Sequence, residues 1–172
     1  DDFLARGQAH LAKGPIALVF AEDQVELGST LRHHLDAGFK ALAIFAPAHF
    51  KLPADVEARV ARVTYDVTGG DSYIAAVNAV IKATAGQWLY YCFNAEYLFY
   101  PFIETRSIGE MLAFHTEERR DAMLSYVVDV YAGDLDAHPN AVHLEDAHMD
   151  KSGYYALARS DPANQNHPKI IF

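Results

Sequence analysis

Gly14-Pro15-Ile16-Ala17-Leu18-Val19-Phe20-Ala21-Glu22-Asp23 opens a stretch that runs through Leu27, Leu31, Leu35 and Gly38 to Ala41-Leu42-Ala43-Ile44-Phe45-Ala46. Ile16–Phe20 and Ala41–Ala46 are short, continuous apolar runs, the pattern of strands covered on both faces. Between them the period changes. Leu27, Leu31 and Leu35 recur every four residues, and Gly38 stands where a helix commonly ends in a left-handed turn. A strand, a helix and a second strand joined this way make a βαβ unit, which commits the sheet to parallel strands.

The same alternation continues along the chain. The segment from Pro53 to Ala61 has Val56 and Val60 at helical spacing, and Arg62 to Val67 reads as a third strand ending at Gly69-Gly70. Asp71 or Ser72 is placed to cap a helix with Ile74, Val77 and Ile81 on one face, ended by Gly86. Trp88 to Phe93 reads as a fourth strand, rich in aromatics. Ser107-Ile108-Gly109-Glu110 has capping-box spacing and predicts a helix to about Arg120. Met123 to Tyr131 reads as a fifth strand. Upstream, residues 3–13 suit a short helix; downstream of Gly133 the chain turns polar, with short structure expected near Tyr154–Arg159. The expected fold is α/β, three layers, a mostly parallel sheet with helices on both faces. The length of 172 residues fits one domain over 1–172.

Composition narrows the function. A net charge of −9 disfavours a nucleic-acid binder, which needs a basic stripe to displace counterions, and disfavours charge-driven adhesion to anionic membranes. No apolar run reaches the roughly 18 residues that span a bilayer, and Asp1-Asp2-Phe3-Leu4 does not open a secretory signal. The single cysteine, Cys92, excludes an intrachain disulfide and agrees with a reducing, cytoplasmic setting. The chain lacks an initiator methionine, which suggests a trimmed or partial product.

Ligands of open α/β sheets bind beyond the carboxyl ends of the strands. After the first strand come Glu22 and Asp23; after the second, Pro47-Ala48-His49; after the third, Asp66 and Thr68; after the fourth, Asn94-Ala95-Glu96-Tyr97. Oxygen donors of this kind suit hard cations or the hydroxyls of a sugar, although acids also simply cap helix N-termini. Nothing here has the form of a Gly-rich phosphate loop.

Phe20-Ala21-Glu22-Asp23 with Leu31-Arg32-His33-His34-Leu35-Asp36-Ala37-Gly38-Phe39-Lys40, and the fourth strand leading into Asn94-Ala95-Glu96, resemble the nucleotide-sugar-binding half of family-2-type glycosyltransferases over roughly residues 15–131. The resemblance implies the GT-A, Rossmann-like fold. It implies a nucleoside diphosphate sugar as donor, Mg²⁺ or Mn²⁺ as cofactor, and transfer to an acceptor the sequence does not name. By carry-over, Glu22 and Asp66 contact the nucleoside, while Glu96 and Asn94 stand at the two positions of the Asp-x-Asp motif that hold the cation. The departures are Asn94 itself, the second strand end Ala46-Pro47-Ala48-His49 without a carboxylate, and a catalytic base and late metal-binding histidine that the family carries further on than Phe172. Asp129 and Asp146 are the nearest candidates for a base. A non-catalytic relative that binds a ligand or partner is the alternative, and the aromatic run from Tyr97 to Phe102 serves a sugar ring, the core or an oligomer contact.

Three further features read as structural. His138, His143 and His148, at intervals of five, do not share a helix face and form no zinc motif. Cys92 lies in an apolar strand and reads as core. His33 and His34 read as surface with partial packing.

Overall fold

The computed structural model describes Leu11, residues 14–70 and 72–149, and the backbone of 159–160 and 168–169. The chain divides into two compact units, Asp1–Asp121 and Ala122–Phe172.

The first unit is a four-stranded sheet of β1 (Ile16–Phe20), β2 (Ala41–Ala46), β3 (Ala61–Thr64) and β4 (Leu89–Phe93), in the order β3-β2-β1-β4. Every pairing is parallel, with Phe20 level with Phe45 on one side and Phe93 on the other. All four strands therefore finish at one edge. β1 and β2 are buried at every position, as their unbroken apolar runs require.

Alternate residues feed two cores. On one face Ala17, Val19 and Ala21 join Leu27 and Leu31 of α1 (Leu27–Asp36), Val56 of α2 (Ala54–Glu57), and Ile108 and Leu112 of α4 (Ile108–Glu117). On the other, Ile16, Leu18 and Phe20 pack with Leu11 and with Ala76 and Val80 of α3 (Ser72–Ala83). Helices thus cover both faces of a parallel sheet. Gly38 turns at φ +95 where α1 ends, and a Cβ there would meet the Ser107 Cβ at 3.0 Å. The close approach lets Ile108 N–H bond Ala37 O at 2.8 Å, so the C-cap carbonyl of α1 is satisfied by the start of α4. Ser107 caps α4 with a complete capping box, as the spacing predicts.

Three expectations need correction. The buried face of α3 is Ala76 and Val80, flanked by Tyr73 and Val77; Ile74 and Ile81 are 41% and 49% exposed. The helix turns about 100° per residue, and the small Ala76 lets it approach the sheet on that side. Met123–Val130 forms no strand, and residues 121–130 are all exposed. Of this segment only Tyr131–Ala132 (β5) enters a ladder, antiparallel with Ala147–His148 (β6) in the second unit. α4 stops at Glu117, with Arg119 left-handed at φ 56. The expected helix over 3–13, apart from Leu11, and the structure expected over residues 154–158 lie outside the described residues. Arg159–Ser160 (β7) pairs antiparallel with Pro168–Lys169 (β8).

Candidate functional site at the strand ends

Beyond Phe20 the chain must turn from β1 into α1, and beyond Phe93 from β4 into the segment before α4. These two turns are sewn together by Asn94. Its backbone N–H donates to Phe20 O at 3.1 Å. Its side-chain Oδ1 accepts Glu22 N–H at 2.9 Å, and its Nδ2 donates to Asp23 Oδ1 at 2.6 Å and to Val25 O at 3.1 Å. One donor and two acceptors surround the amide, which fixes its orientation. An aspartate at position 94 would put a carboxylate oxygen 2.6 Å from that of Asp23. The neutral amide is therefore what this turn requires, and the negative charge sits on Asp23 instead.

Asp23 also accepts Val25 N–H at 2.8 Å, an Asx turn that leads the chain into α1. Glu96 folds back on its own strand, its Oε2 accepting Phe93 N–H at 2.8 Å. Between them Ala95 is left-handed at φ 60, and its N–H donates to Thr30 Oγ1 at 2.9 Å. Thr30 in turn donates to Glu26 O at 2.8 Å, and Glu26 is itself left-handed at φ 49. Two non-glycine residues at positive φ, joined through one fully buried threonine, mark a place where the surrounding structure over-determines the backbone.

Asp66 and Glu22 are exposed at the same edge of the sheet. Asp66 Oδ1 accepts the Thr68 N–H and hydroxyl, and these bonds hold its carboxyl below the usual range. The edge thus gathers Glu22, Asp66, Asn94 and Glu96 from three strands. The candidate bases Asp129 and Asp146 belong to the second unit, and both are exposed there.

Among the described residues no group of three or more His, Cys, Asp or Glu is gathered as a metal cage requires. Glu96 Oε2 is taken by Phe93 N–H, so its Oε1 is the carboxylate oxygen a cation could use. Asn94 Oδ1 is already committed to Glu22 N–H.

His34 is the residue that sequence reasoning misplaced. It is fully buried on α1, its Nδ1 donating to Thr30 O at 2.8 Å, with Nε2 3.8 Å from Cys92 Sγ. Burial pushes its pKa down to about 4 against the opposing bond to Thr30, and burial pushes the Cys92 thiol up. The pair is neutral: the thiol faces an imidazole lone pair and is no thiolate nucleophile. His33 is half-buried, its Nε2 2.7 Å from Leu98 O and its ring against Tyr97 and Phe99. The aromatic run divides: Tyr100 is core, bonded through its hydroxyl to Ala37 O and Arg106 O, while Phe99 and Phe102 are each 73% exposed. His138 and His143 stack in parallel with centroids 4.0 Å apart, so their ring lone pairs do not converge on one ion.

No family model, curated protein or solved structure matches the chain. No helix among the described residues is long and apolar enough to cross a membrane.

Proposed function

We propose that the chain binds a nucleoside diphosphate sugar with Mg²⁺ or Mn²⁺ across the strand-end edge and transfers the sugar to an acceptor. The observation that supports this reading is that the ends of β1 and β4 place Glu22, Asp23, Asn94 and Glu96 on one edge of a parallel sheet, where the Asn94 amide ties the turn of Glu22 and Asp23 to its own. Pre-organised carboxylates are what the reaction needs, because a departing diphosphate must have its growing charge neutralised by a cation the protein holds in place. Glu22 and Asp66 would meet the nucleoside hydroxyls or base. Glu96 would hold the cation.

A second reading is a non-catalytic member that binds a ligand or partner. It is favoured by the full engagement of Asn94 in the turn, which leaves one motif carboxylate where the family has two.

The test of the first reading is Glu96→Gln set against Glu118→Gln. Glu118 caps the far end of α4 and is exposed. Titration calorimetry with uridine and guanosine diphosphate sugars should show Mn²⁺-dependent binding that Glu96→Gln weakens by about tenfold or more and Glu118→Gln leaves unchanged. Equal effects of the two, or binding indifferent to Mn²⁺, would remove Glu96 from the cation.

A further inference from the structure

We propose that the loop after β2 grips an anionic group of the ligand, a phosphate oxygen, through His49 and Lys51, an inference that rests on the nucleotide reading of the same edge. The loop runs Pro47-Ala48-His49-Phe50-Lys51. It lies between β3 and β1 in the sheet order, so it is flanked by the ends that carry Asp66 on one side and Glu22 and Asp23 on the other. It alone of the four strand ends carries donors and no acid, in a chain whose net charge is −9.

The loop is also held unusually well. Arg62 Nη2 donates to three of its carbonyls, Pro47 at 3.3 Å, Ala48 at 3.0 Å and Phe50 at 2.6 Å. Gln24, next to Asp23, accepts Lys51 N–H through Oε1 at 2.8 Å, which ties this loop directly to the acidic turn after β1. Phe50 anchors the middle in the core at 9% exposure, with the His49 ring edge-on to it at 4.9 Å. His49 and Lys51, on either side of that anchor, are exposed. Nearby cations are already committed, Arg32 to Asp55 at 2.8 Å and Arg62 to Glu57 at 3.4 Å. Among the described residues neither His49 nor Lys51 takes part in an ion pair.

The edge therefore reads acid, donor, acid, acid from β3 to β4. A diphosphate with its cation has the complementary pattern, because the cation seeks carboxylates while the remaining phosphate oxygens seek N–H donors and positive charge. A loop fixed at both ends and its centre loses little freedom on binding, which is what makes two exposed donors a grip. The competing view is that Lys51 only offsets the field of neighbouring acids.

The full chain decides between them as His49→Gln and Lys51→Gln, with Lys51→Arg as a folding and charge control. Each is titrated with inorganic pyrophosphate plus Mn²⁺, with uridine diphosphate plus Mn²⁺, and with uridine. The expected result is that both Gln variants weaken pyrophosphate and uridine diphosphate by about tenfold, that Lys51→Arg restores binding, and that uridine is unaffected. Wild-type-like binding of both phosphates by the Gln variants would overturn the proposal while leaving the nucleotide reading standing. Pyrophosphate binding that the variants lose, with neither uridine diphosphate nor guanosine diphosphate (titrated alongside with Mn²⁺) bound better than pyrophosphate, would uphold the grip and defeat the nucleotide reading. No pyrophosphate binding by the parent chain would overturn the proposal outright.

Discussion

Replacing Phe20 with alanine should lower the stability of the folded chain by about 3–5 kcal/mol, the cost of an aromatic cavity at a site that cannot collapse. Phe20 closes the central strand, fully buried, stacked on Phe45 with centroids 4.8 Å apart and touching Phe93 at 6.0 Å and Tyr73 at 6.1 Å. It packs on β2, β4 and α3 at once, so no single neighbour can move in to fill the space. Its backbone carbonyl, which the substitution keeps, receives Asn94 N–H at 3.1 Å, so the loss is one of packing. Phe99→Ala, at a side chain 73% exposed, should change stability by less than about 0.5 kcal/mol. Urea denaturation of the two variants checks the contrast; similar midpoints would mean that Phe20 is not the packing centre described.

The second large effect is with pH. In the folded chain His34 titrates at about 4 instead of 6.5 because burial disfavours its charged form. Above pH 6.5 both folded and unfolded forms are neutral at this residue, and its contribution is fully present. Between 6.5 and 4 the unfolded chain takes up a proton that the folded chain refuses, so stability falls as the solution is acidified, by about 3 kcal/mol in all. Below about 4 the loss levels off. His34→Gln removes the titration and should flatten that limb, so that the difference in stability between parent and variant shrinks from pH 7 to pH 4. Parallel stability curves for the two proteins across this window would contradict a buried neutral imidazole.

The sheet was legible because its signals are local. Ile16–Phe20 and Ala41–Ala46 announce buried strands by composition alone, and Gly38 and Ser107-x-x-Glu110 mark helix ends by short-range chemistry. What stayed hidden depends on partners far along the chain. Met123–Tyr131 has the composition of a strand, but a strand exists only where a neighbour offers a ladder, and of that segment only Tyr131, with Ala132 after it, finds one. Ile74 and Ile81 look like a core face until the sheet selects the side bearing Ala76 and Val80. His34 looks like a surface residue because nothing nearby reveals that Cys92, 58 positions away, will close over it.

The candidate site shows the same division. That Glu22, Asp66, Asn94 and Glu96 would share an edge follows from strand direction, which βαβ alternation reveals. That Asn94 would be a clamp follows from contacts to Glu22, Asp23 and Val25, some 70 residues away, which no local pattern encodes. The neutral amide at position 94 thus has a physical reason in this chain: Asn94 Nδ2 donates to Asp23, and an acid at 94 would repel it.

The most direct test of the nucleotide reading is a thermal-shift panel of nucleoside diphosphates and their sugars, each with and without Mn²⁺. A ligand that binds the folded chain alone stabilises it by about 2.7 kcal/mol at a hundredfold excess over its dissociation constant. A nucleotide site at the strand ends requires a rise in Tm that needs nucleotide and Mn²⁺ together. A panel in which no nucleotide moves Tm, with or without the cation, would contradict it.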